Sequence, residues 1–366
     1  MLYLIAGNGA PNYGDELIVQ NWLRFYREIG YLGPITVDGK GADRSRQLLS
    51  GYGDVQFVKG LPRHADGMHG TYTDFAELGA LQVRERLSDF RDVIALHFLG
   101  GGYLSANWNN ATRLIGGAVE IASLNDIPLI ATGLGLAPFN FMSTDDHRTW
   151  EKLISAFSLL EVRDIESYRT LLNISAKKGN LSLLLGLDDA FLFPVKAQRH
   201  EGRWLHLSGF SENPGWLEAS IKDLLKQYDE VIFWICSVPD SQLYRSLSKR
   251  FPNIQKIGNF QLLNHGLPLM QDDFMISARF HPHLQASRRG VSGAYLAESD
   301  FYRVKHGLVS ELGSTFQPFG NTLKVNRGRD GKMQRADPGR VDYKTRIGQM
   351  VCEIIGFPPK KAPVES

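Results

Sequence analysis

Leu2–Leu23 reads LYLIAGNGAPNYGDELIVQNWL. An apolar run, Leu2–Ala6, enters a loop holding Gly7, Gly9 and Gly14. Apolar residues then recur at helical spacing, so that Leu17, Ile18, Trp22, Phe25, Tyr26 and Ile29 share one face of a helix expected over Asp15–Ile29. A short apolar strand, a glycine loop and an amphipathic helix make up the opening half of a strand–helix–strand unit, the building block of parallel sheets. Gly9 and Gly14 have the glycine spacing of a phosphate-cradling loop. The Lys and Ser or Thr that such a loop needs are, however, replaced by Asp15 and Glu16. Two carboxylates stand where a nucleotide phosphate wants a cation.

The same alternation continues along the chain. Further strands are expected at Ile35–Val37, Val55–Val58, Val93–Leu99, Pro128–Thr132, Leu159–Val162 and Leu183–Leu187, with helices over Gly116–Asn125 and Thr149–Phe157. A second series follows: strand Arg203–Phe210, helix Pro214–Gln227, strand Glu230–Val238, helix Ser241–Arg250, strand Asp273–Ala278 and helix His283–Gly290. The stretch FPVKAQRHEGR (Phe193–Arg203) is polar, charged and aperiodic, and reads as a linker. The expectation is an α/β protein of two doubly wound, Rossmann-like lobes with a cleft between them. The N-terminal lobe is expected over 1–193, the C-terminal lobe over 203–350, and a partly disordered tail over 351–366. Ligands of such sheets bind beyond the carboxyl ends of strands, which makes the loops after strands the place to search.

Bulk properties narrow the function. At ~150 residues per domain, 366 residues allow about two domains. A formal charge of +2 does not point to nucleic acid as the partner. Cys236 and Cys352 stand far apart, which argues against a disulfide framework or a cysteine zinc site and fits a reducing cytoplasm. Met1–Ala6 is too short and uncharged for a signal peptide, and no apolar run reaches the ~20 residues of a membrane span. A soluble, cytoplasmic protein is expected. Lys324–Arg346 carries eight basic and three acidic residues. It reads first as a solvated surface loop. Its functional alternative is contact with an anionic headgroup or diphosphate at the inner face of the membrane.

Four strand ends carry unusual residues. Gly100, Gly101 and Gly102 follow Val93–Leu99 and either converge backbone N–H groups on an anion or simply turn the chain. Gly133–Pro138 (GLGLAP) is a second glycine turn, weak as a signal by itself. Arg163, in RDIES, emerges from Leu159–Val162, where its planar fork suits a carboxylate or phosphate; its bland alternative is an ion pair with Asp164 or Glu161. RFHPHLQA follows Asp273–Ala278 and is the sharpest signal of the second lobe. Arg279 and His281 alternate with Phe280 in an extended segment, and Pro282 suits the first turn of a helix whose N-terminus favours anions. His283 caps or packs, and a metal at His281 and His283 lacks a third ligand nearby. His97 and His206, inside strand patterns, read as satisfied core residues.

Taken together, these blocks resemble the polysaccharide pyruvyl transferase family. The resemblance runs in order through GNGAPNYGDEL, FLGGGYL, TGLGLAP, VRDIESY, LDDAFLF, ISARFHPHLQASRRG and AESDFYRVKHGLVSELG, from about Met1 to Gly313. It implies a two-lobed fold similar to the GT-B glycosyltransferases. The implied activity is transfer of pyruvate from phosphoenolpyruvate to a sugar of a polysaccharide or glycolipid precursor, forming a ketal across two hydroxyls. The acceptor would be lipid-linked or nucleotide-linked, and no organic cofactor is implied; the sequence itself makes no case for a metal. Arg163, Arg279 and His281 match the family's donor-site positions. The loop Asn12–Asp15 matches its N-x-G-D motif, and AESDFYRVKHGLVSELG, with Tyr302 and Lys305, looks like the family's segment with a Tyr and a Lys before a late helix. Two departures stand out: His283 replaces a small residue, and HLSGFSENPG (His206–Gly215) replaces an arginine-bearing stretch.

On this reading Arg163 and Arg279 neutralise the donor, His281 supplies a proton, and Asp15 or Glu16 accepts one from a sugar hydroxyl. Gly100–Gly102, His283 and Lys305 are further substrate-binding candidates. The competing view of Asp15 is a helix cap. Rival functions are a GT-B nucleotide-sugar glycosyltransferase and a non-catalytic glycan-binding protein on the same fold.

Overall fold

The computed structural model describes residues 1–63, 70–105, 111–139, 143–175, 181–209, 222, 224–297, 299–319 and 331–357. The chain divides into two compact units. One comprises Met1–Ala10, Ile18–Leu192 and Asp342–Ser366, the other Pro11–Leu17 and Phe193–Val341.

The first unit is built on seven parallel strands: β1 (Leu2–Ile5), β2 (Ile35–Asp38), β3 (Val55–Val58), β4 (Ala95–Phe98), β5 (Leu129–Leu134), β6 (Leu159–Val162) and β7 (Ser182–Leu185). Their order is β3-β2-β1-β4-β5-β6-β7, so the sheet is doubly wound, with its switch point between β1 and β4. Strands β1, β2, β4, β5 and β6 are buried at every residue. Near-continuous apolar runs of this kind mark a sheet covered on both faces. The helices of the unit are α1 (Tyr13–Glu28), α2 (Ala42–Leu48), α3 (Tyr72–Arg84), α4 (Ala111–Asn125), α5 (Thr144–Ile154) and α6 (Ile165–Ser175). Trp22, Phe98 and Trp150 are fully buried anchors of its core, and each such side chain contributes roughly 1.5–3 kcal/mol.

The second unit carries β8 (Trp204–Ser208), β9 (Glu230–Ile235), β10 (Ile254–Gly258), β11 (Phe274–Ser277), β12 (Ser292–Tyr295) and β13 (Gln317–Pro318), in the parallel order β10-β9-β8-β11-β12-β13. Its helices are α7 (Val238–Arg250), α8 (Asn259–Asn264), α9 (Phe280–Arg288) and α10 (Asp300–Glu311); α11 (Lys332–Ile354) closes the chain. Here too the strand order reverses, between β8 and β11.

Several expectations change. The chain does not divide at a single cut near 193–203. Pro11–Leu17 joins the second unit, because the Tyr13 N–H donates to the Cys236 carbonyl at 2.9 Å and its ring meets Trp234 edge-on at 6.3 Å. Asp342–Ser366 returns to the first unit. Ile347, Val351 and Cys352 are buried, and Gly348 lies so close to the Phe25 ring that a Cβ would fall 2.4 Å from it. Positions 351–354 are therefore helix rather than tail, and 358–366 lie outside the described residues. The basic stretch 324–346 is not a loop from Lys332 onward but the start of α11, and its Lys344 is fully buried; 324–330 lie outside the described residues. Of the helix expected over 214–227, residues 214–221 and 223 also lie outside them; Lys222 and Leu224 are helical, and Leu225–Gln227 forms a 3-10 turn. Helix α9 begins at Phe280, so the extended segment ends at Arg279, and His281 sits on a helix. No helix among the described residues is long and apolar enough to cross a membrane.

Candidate functional site

In the second unit, three sequence signals meet at the carboxyl edge of the sheet. The acid-tipped loop packs onto the end of β9, with Asn12 and Ser237 forming an antiparallel bridge. Gly14 is what allows the close approach, since a Cβ at this position would fall 1.6 Å from His281 Nδ1. Only a residue without a side chain lets this backbone lie against the imidazole. Arg279 stands directly after β11, in extended conformation (φ −103°, ψ 136°) at the head of α9. Its Nη2 donates to Ser237 Oγ at 2.6 Å and to Asp240 Oδ1 at 2.5 Å. Gly209, after β8, has φ +59°, and a Cβ there would come 2.6 Å from Arg279 Nε.

Asp240 is itself fixed, since its other oxygen accepts the N–H groups of Cys236 (3.0 Å) and Ser237 (2.8 Å). Burial works to lower the Arg279 pKa, but the Asp240 carboxylate outweighs it and the net shift is upward. The guanidinium is thus a permanent charge, with 27% of its side chain still exposed. The first turn of α9 brings its N–H groups alongside, the feature that makes helix starts receptive to anions. Burial pushes the Cys236 thiol up to about 12, so it is a packed neighbour and not a nucleophile.

The two loop carboxylates differ. Glu16 is fully buried, whereas Asp15 is half-buried and accepts Asn12 Nδ2–H at 2.9 Å. Asn12 precedes α1, and its Oδ1 accepts the Gly14 N–H at 3.3 Å while its carbonyl accepts that of Glu16 at 3.1 Å. Asn12 therefore occupies the capping position, and Asp15 braces the cap from the third helical position. Tyr13 is buried packing against Trp234. His283 is no substrate contact: it is fully buried, stacks on Tyr295 and Phe316, and places Nδ1 2.9 Å from His306 Nδ1 and Nε2 2.9 Å from Ser314 Oγ. Lys305, on α10, holds its ammonium 3.8 Å over the Phe301 ring.

The first unit brings together a different group. Arg163 follows β6 but is 3% exposed, and its Nη1 pairs with Asp188 Oδ2 at 2.5 Å rather than with Asp164 or Glu161. Asp164 instead accepts the Ser167 N–H at 2.7 Å and caps α6. The glycine triplet is not an open cradle. The Gly100 N–H donates to Asp189 Oδ2 at 2.7 Å, and that of Gly101 to the Gly133 carbonyl at 3.4 Å. Glu161, Asp189 and Lys344 form a buried cluster that sequence reasoning missed. The apolar context of LGLDDAFLF (Leu185–Phe193) is the signal that could have found it, because carboxylates buried among apolar residues need partners. His97 closes the network. Thr132 Oγ1 donates to Asp189 Oδ2 (2.9 Å) and so accepts from His97 Nε2 (2.9 Å), which leaves Nδ1 to accept from the Tyr26 hydroxyl (2.9 Å). Burial holds the His97 pKa down to about 3.

Among the described residues one cluster has metal-ligating types: His200, His206 and Asp273. His206 Nδ1 accepts the indole N–H of Trp234 at 3.2 Å, so its Nε2 carries the proton and donates to Asp273 Oδ2 at 3.1 Å. A nitrogen bearing a proton has no lone pair for a metal. The cluster fits a hydrogen-bonded clamp at the opposite, amino-terminal ends of β8 and β11.

A family model described as polysaccharide pyruvyl transferase matches residues 12–298, most of the chain. The chain belongs to this family. The match starts at the capping Asn12 and takes in Arg163, Arg279 and His281, while Lys305 and Lys344 lie beyond it. No curated protein matches the chain. Among solved structures it is similar to a UDP-N-acetylglucosamine 2-epimerase (TM-score 0.64, 13% identity, 100% of this chain and 98% of that one). The corresponding epimerase of Methanocaldococcus jannaschii gives TM-score 0.59 at 13% identity over 96% and 99% of the two chains. MurG of Acinetobacter baumannii gives 0.51 at 14% over 96% and 99%. At these identities the likeness is one of fold: this pyruvyl transferase family member has two GT-B-like, parallel-sheet α/β domains.

Proposed function

We propose that the protein transfers pyruvate from phosphoenolpyruvate onto two hydroxyls of a sugar in a polysaccharide or glycolipid precursor, releasing inorganic phosphate. The observation that carries this reading is the contact of Gly14 with His281, which joins an acid-tipped loop to a histidine two residues from a charged arginine. Phosphoenolpyruvate needs a fixed cation, a proton for C3 and a hydroxyl held for attack. Arg279 binds the donor anion through the N–H groups that Ser237 and Asp240 leave available. His281 delivers a proton to C3, which leaves C2 electrophilic, or steadies the departing phosphate. One hydroxyl adds to C2, phosphate leaves with the C–O bonding pair, and the second hydroxyl adds and loses its proton, completing the ketal. Asp15, the more accessible of the two loop carboxylates, accepts a hydrogen bond or proton from an acceptor hydroxyl. The acceptor sugar is carried on a lipid or a nucleotide.

The test is phosphate release from phosphoenolpyruvate with a panel of lipid-, nucleotide- and nitrophenyl-linked sugars. Release that depends on the sugar, with a product heavier by one pyruvate less water, is expected. Saturable glycan binding with no phosphate release would overturn it.

A further inference from the structure

The loop that leaves β3 at its carboxyl end, Lys59–Arg63, lines a pocket of about 340 Å³, within the range of small-molecule sites. Every described residue of its lining belongs to the first unit, and none has a part in the chemistry above. Four are cations, Lys59, Arg63, Arg86 and Arg113, and one is a carboxylate, Glu85. Leu61, Val83 and Phe90 are buried and make its apolar side. Parallel sheets take their ligands at carboxyl-end loops of this kind.

The loop is held in place by its own unit. Asp38, buried at the end of β2, accepts the N–H groups of Gly60 (3.2 Å) and Leu61 (2.6 Å) on Oδ2 and the Arg63 guanidinium on Oδ1 (2.9 Å). The Tyr3 hydroxyl donates to the same Oδ2 at 2.7 Å. Two arginines hold the loop carbonyls: Arg86 Nη1 donates to that of Gly60 and Arg113 Nη1 to that of Arg63, both at 3.0 Å. Gln82 Oε1 fixes Arg113, accepting its Nε–H at 3.0 Å and its Nη2–H at 2.7 Å. Arg86 pairs with Asp89 at 2.8 Å.

This scaffold leaves two cationic ends unused. Arg63 is 9% exposed and engages Asp38 through Nε and Nη2, while its Nη1 donates to none of the described residues. Lys59 is exposed, and its ammonium meets no acceptor among the described residues. Even with Asp38 and Asp89 counted beside Glu85, these described groups number four positive and three negative, an excess of one positive charge. An ammonium and the open end of a guanidinium suit an anion with several outward oxygens, as on a phosphoryl group. Their loop is already rigid, so little ordering opposes binding.

We propose that this pocket of the first unit binds a phosphoryl group, held by Lys59 and the Arg63 Nη1. The site uses no residue of the second unit and does not rest on the donor reading of Arg279. Calorimetry on the full chain carrying Arg279→Ala, which takes the donor arginine out of the titration, measures binding of inorganic pyrophosphate. Saturable binding is expected. Lys59→Glu on the same background reverses one exposed charge, with urea unfolding alongside to verify the fold, and should weaken binding roughly tenfold or more. Arg63→Lys keeps a cation on Asp38 but removes the second terminal nitrogen, and a loss of similar size is expected. Absence of binding, affinity unmoved by Lys59→Glu in the folded chain, or equal affinity for sulfate at the same ionic strength overturns the proposal and leaves the donor role of Arg279 standing. Geranyl diphosphate separates the sources of the phosphoryl group. Binding tighter than that of pyrophosphate and weakened by Lys59→Glu upholds the site for a lipid-borne diphosphate; binding no tighter, with pyrophosphate weakened by Lys59→Glu, upholds it for a free one.

Discussion

Arg163 and Arg279 both follow a parallel strand, both pair with an aspartate at 2.5 Å, and both lie within the residues that the family model matches. Their surroundings differ. Arg163 is 3% exposed and pairs with Asp188 beside a turn held by buried ions, whereas Arg279 is 27% exposed and stands at a helix start beside His281 and the loop of Asp15. A guanidinium has five N–H donors, more than one aspartate can take up. At Arg279 part of the guanidinium stays exposed beside titratable groups, while its Nε is buried without a hydrogen-bond partner; at Arg163 the side chain is enclosed by protein. On the proposed function the contrast puts the donor at Arg279, and Arg163 is a buried, ion-paired residue of its own unit.

The largest effect expected from that contrast is at Arg279. Replacement by Ala or Lys should abolish donor turnover, since Lys cannot reproduce the planar fork, while Arg163→Ala, which strands the buried Asp188 carboxylate, should cost stability and leave measurable turnover per folded molecule. Equal residual rates in the two would erase the distinction. His281→Ala should lower the rate by ~10²–10⁴ if the ring moves a proton, and His281→Gln should remove an ionisation from the pH–rate profile; an unchanged profile takes His281 out of proton transfer. Gly14→Ala forces a methyl group to within 1.6 Å of the imidazole, so the ring or the loop must shift. A loss of ~10² in kcat is expected, and a wild-type kcat would separate the loop from the histidine.

Acid should loosen the second unit beneath its arginine. His283 of α9 and His306 of α10 stack on each other, and burial first of all lowers both pKa values, that of His306 to about 4. Unfolded, both take a proton near pH 6.5. The folded state therefore excludes protons that the unfolded state binds between those two values. Stability is complete above pH 6.5 and falls as pH drops toward 4, by ~3 kcal/mol for His306 alone. Urea unfolding at pH 7.5 and pH 4.5 measures it; a flat profile would contradict the neutral pair. The smallest effect belongs to Asp15. Because Asn12 holds the cap position, Asp15→Asn should change stability by less than ~0.5 kcal/mol and lower the rate roughly tenfold, as for one charge-assisted hydrogen bond. A stability loss with full rate per folded molecule would return Asp15 to a capping role.

Much of the fold was legible because buried parallel strands are written as apolar runs: Val55–Val58 and Leu159–Val162 need no adjustment at either end. What escaped has identifiable causes. Strand β10 reads IQKIG, an edge strand with Gln255 and Lys256 exposed, and β12 reads SGAY, too small in side chain to stand out. Helix α11 was obscured by Pro338, Gly339 and the charges around them. In the second-unit site, Arg279 and His281 announced themselves as odd residues after a strand, and the loop of Gly14 by its glycines. Their supports did not. Ser237 and Asp240 lie 42 and 39 residues from Arg279, and Lys344 lies 183 from Glu161. Local pattern holds no record of such pairings, and only the closed sheet brings them together.

The central claim, that Arg279 and its neighbours act on phosphoenolpyruvate, is tested most directly by measuring sugar-dependent phosphate release from that donor with the wild-type chain and with Arg279→Ala, in parallel with calorimetry against a nucleoside diphosphate. The account predicts release by the wild type, none by the variant, and no tight nucleotide binding. Tight nucleoside diphosphate binding with no phosphate released from phosphoenolpyruvate would contradict it.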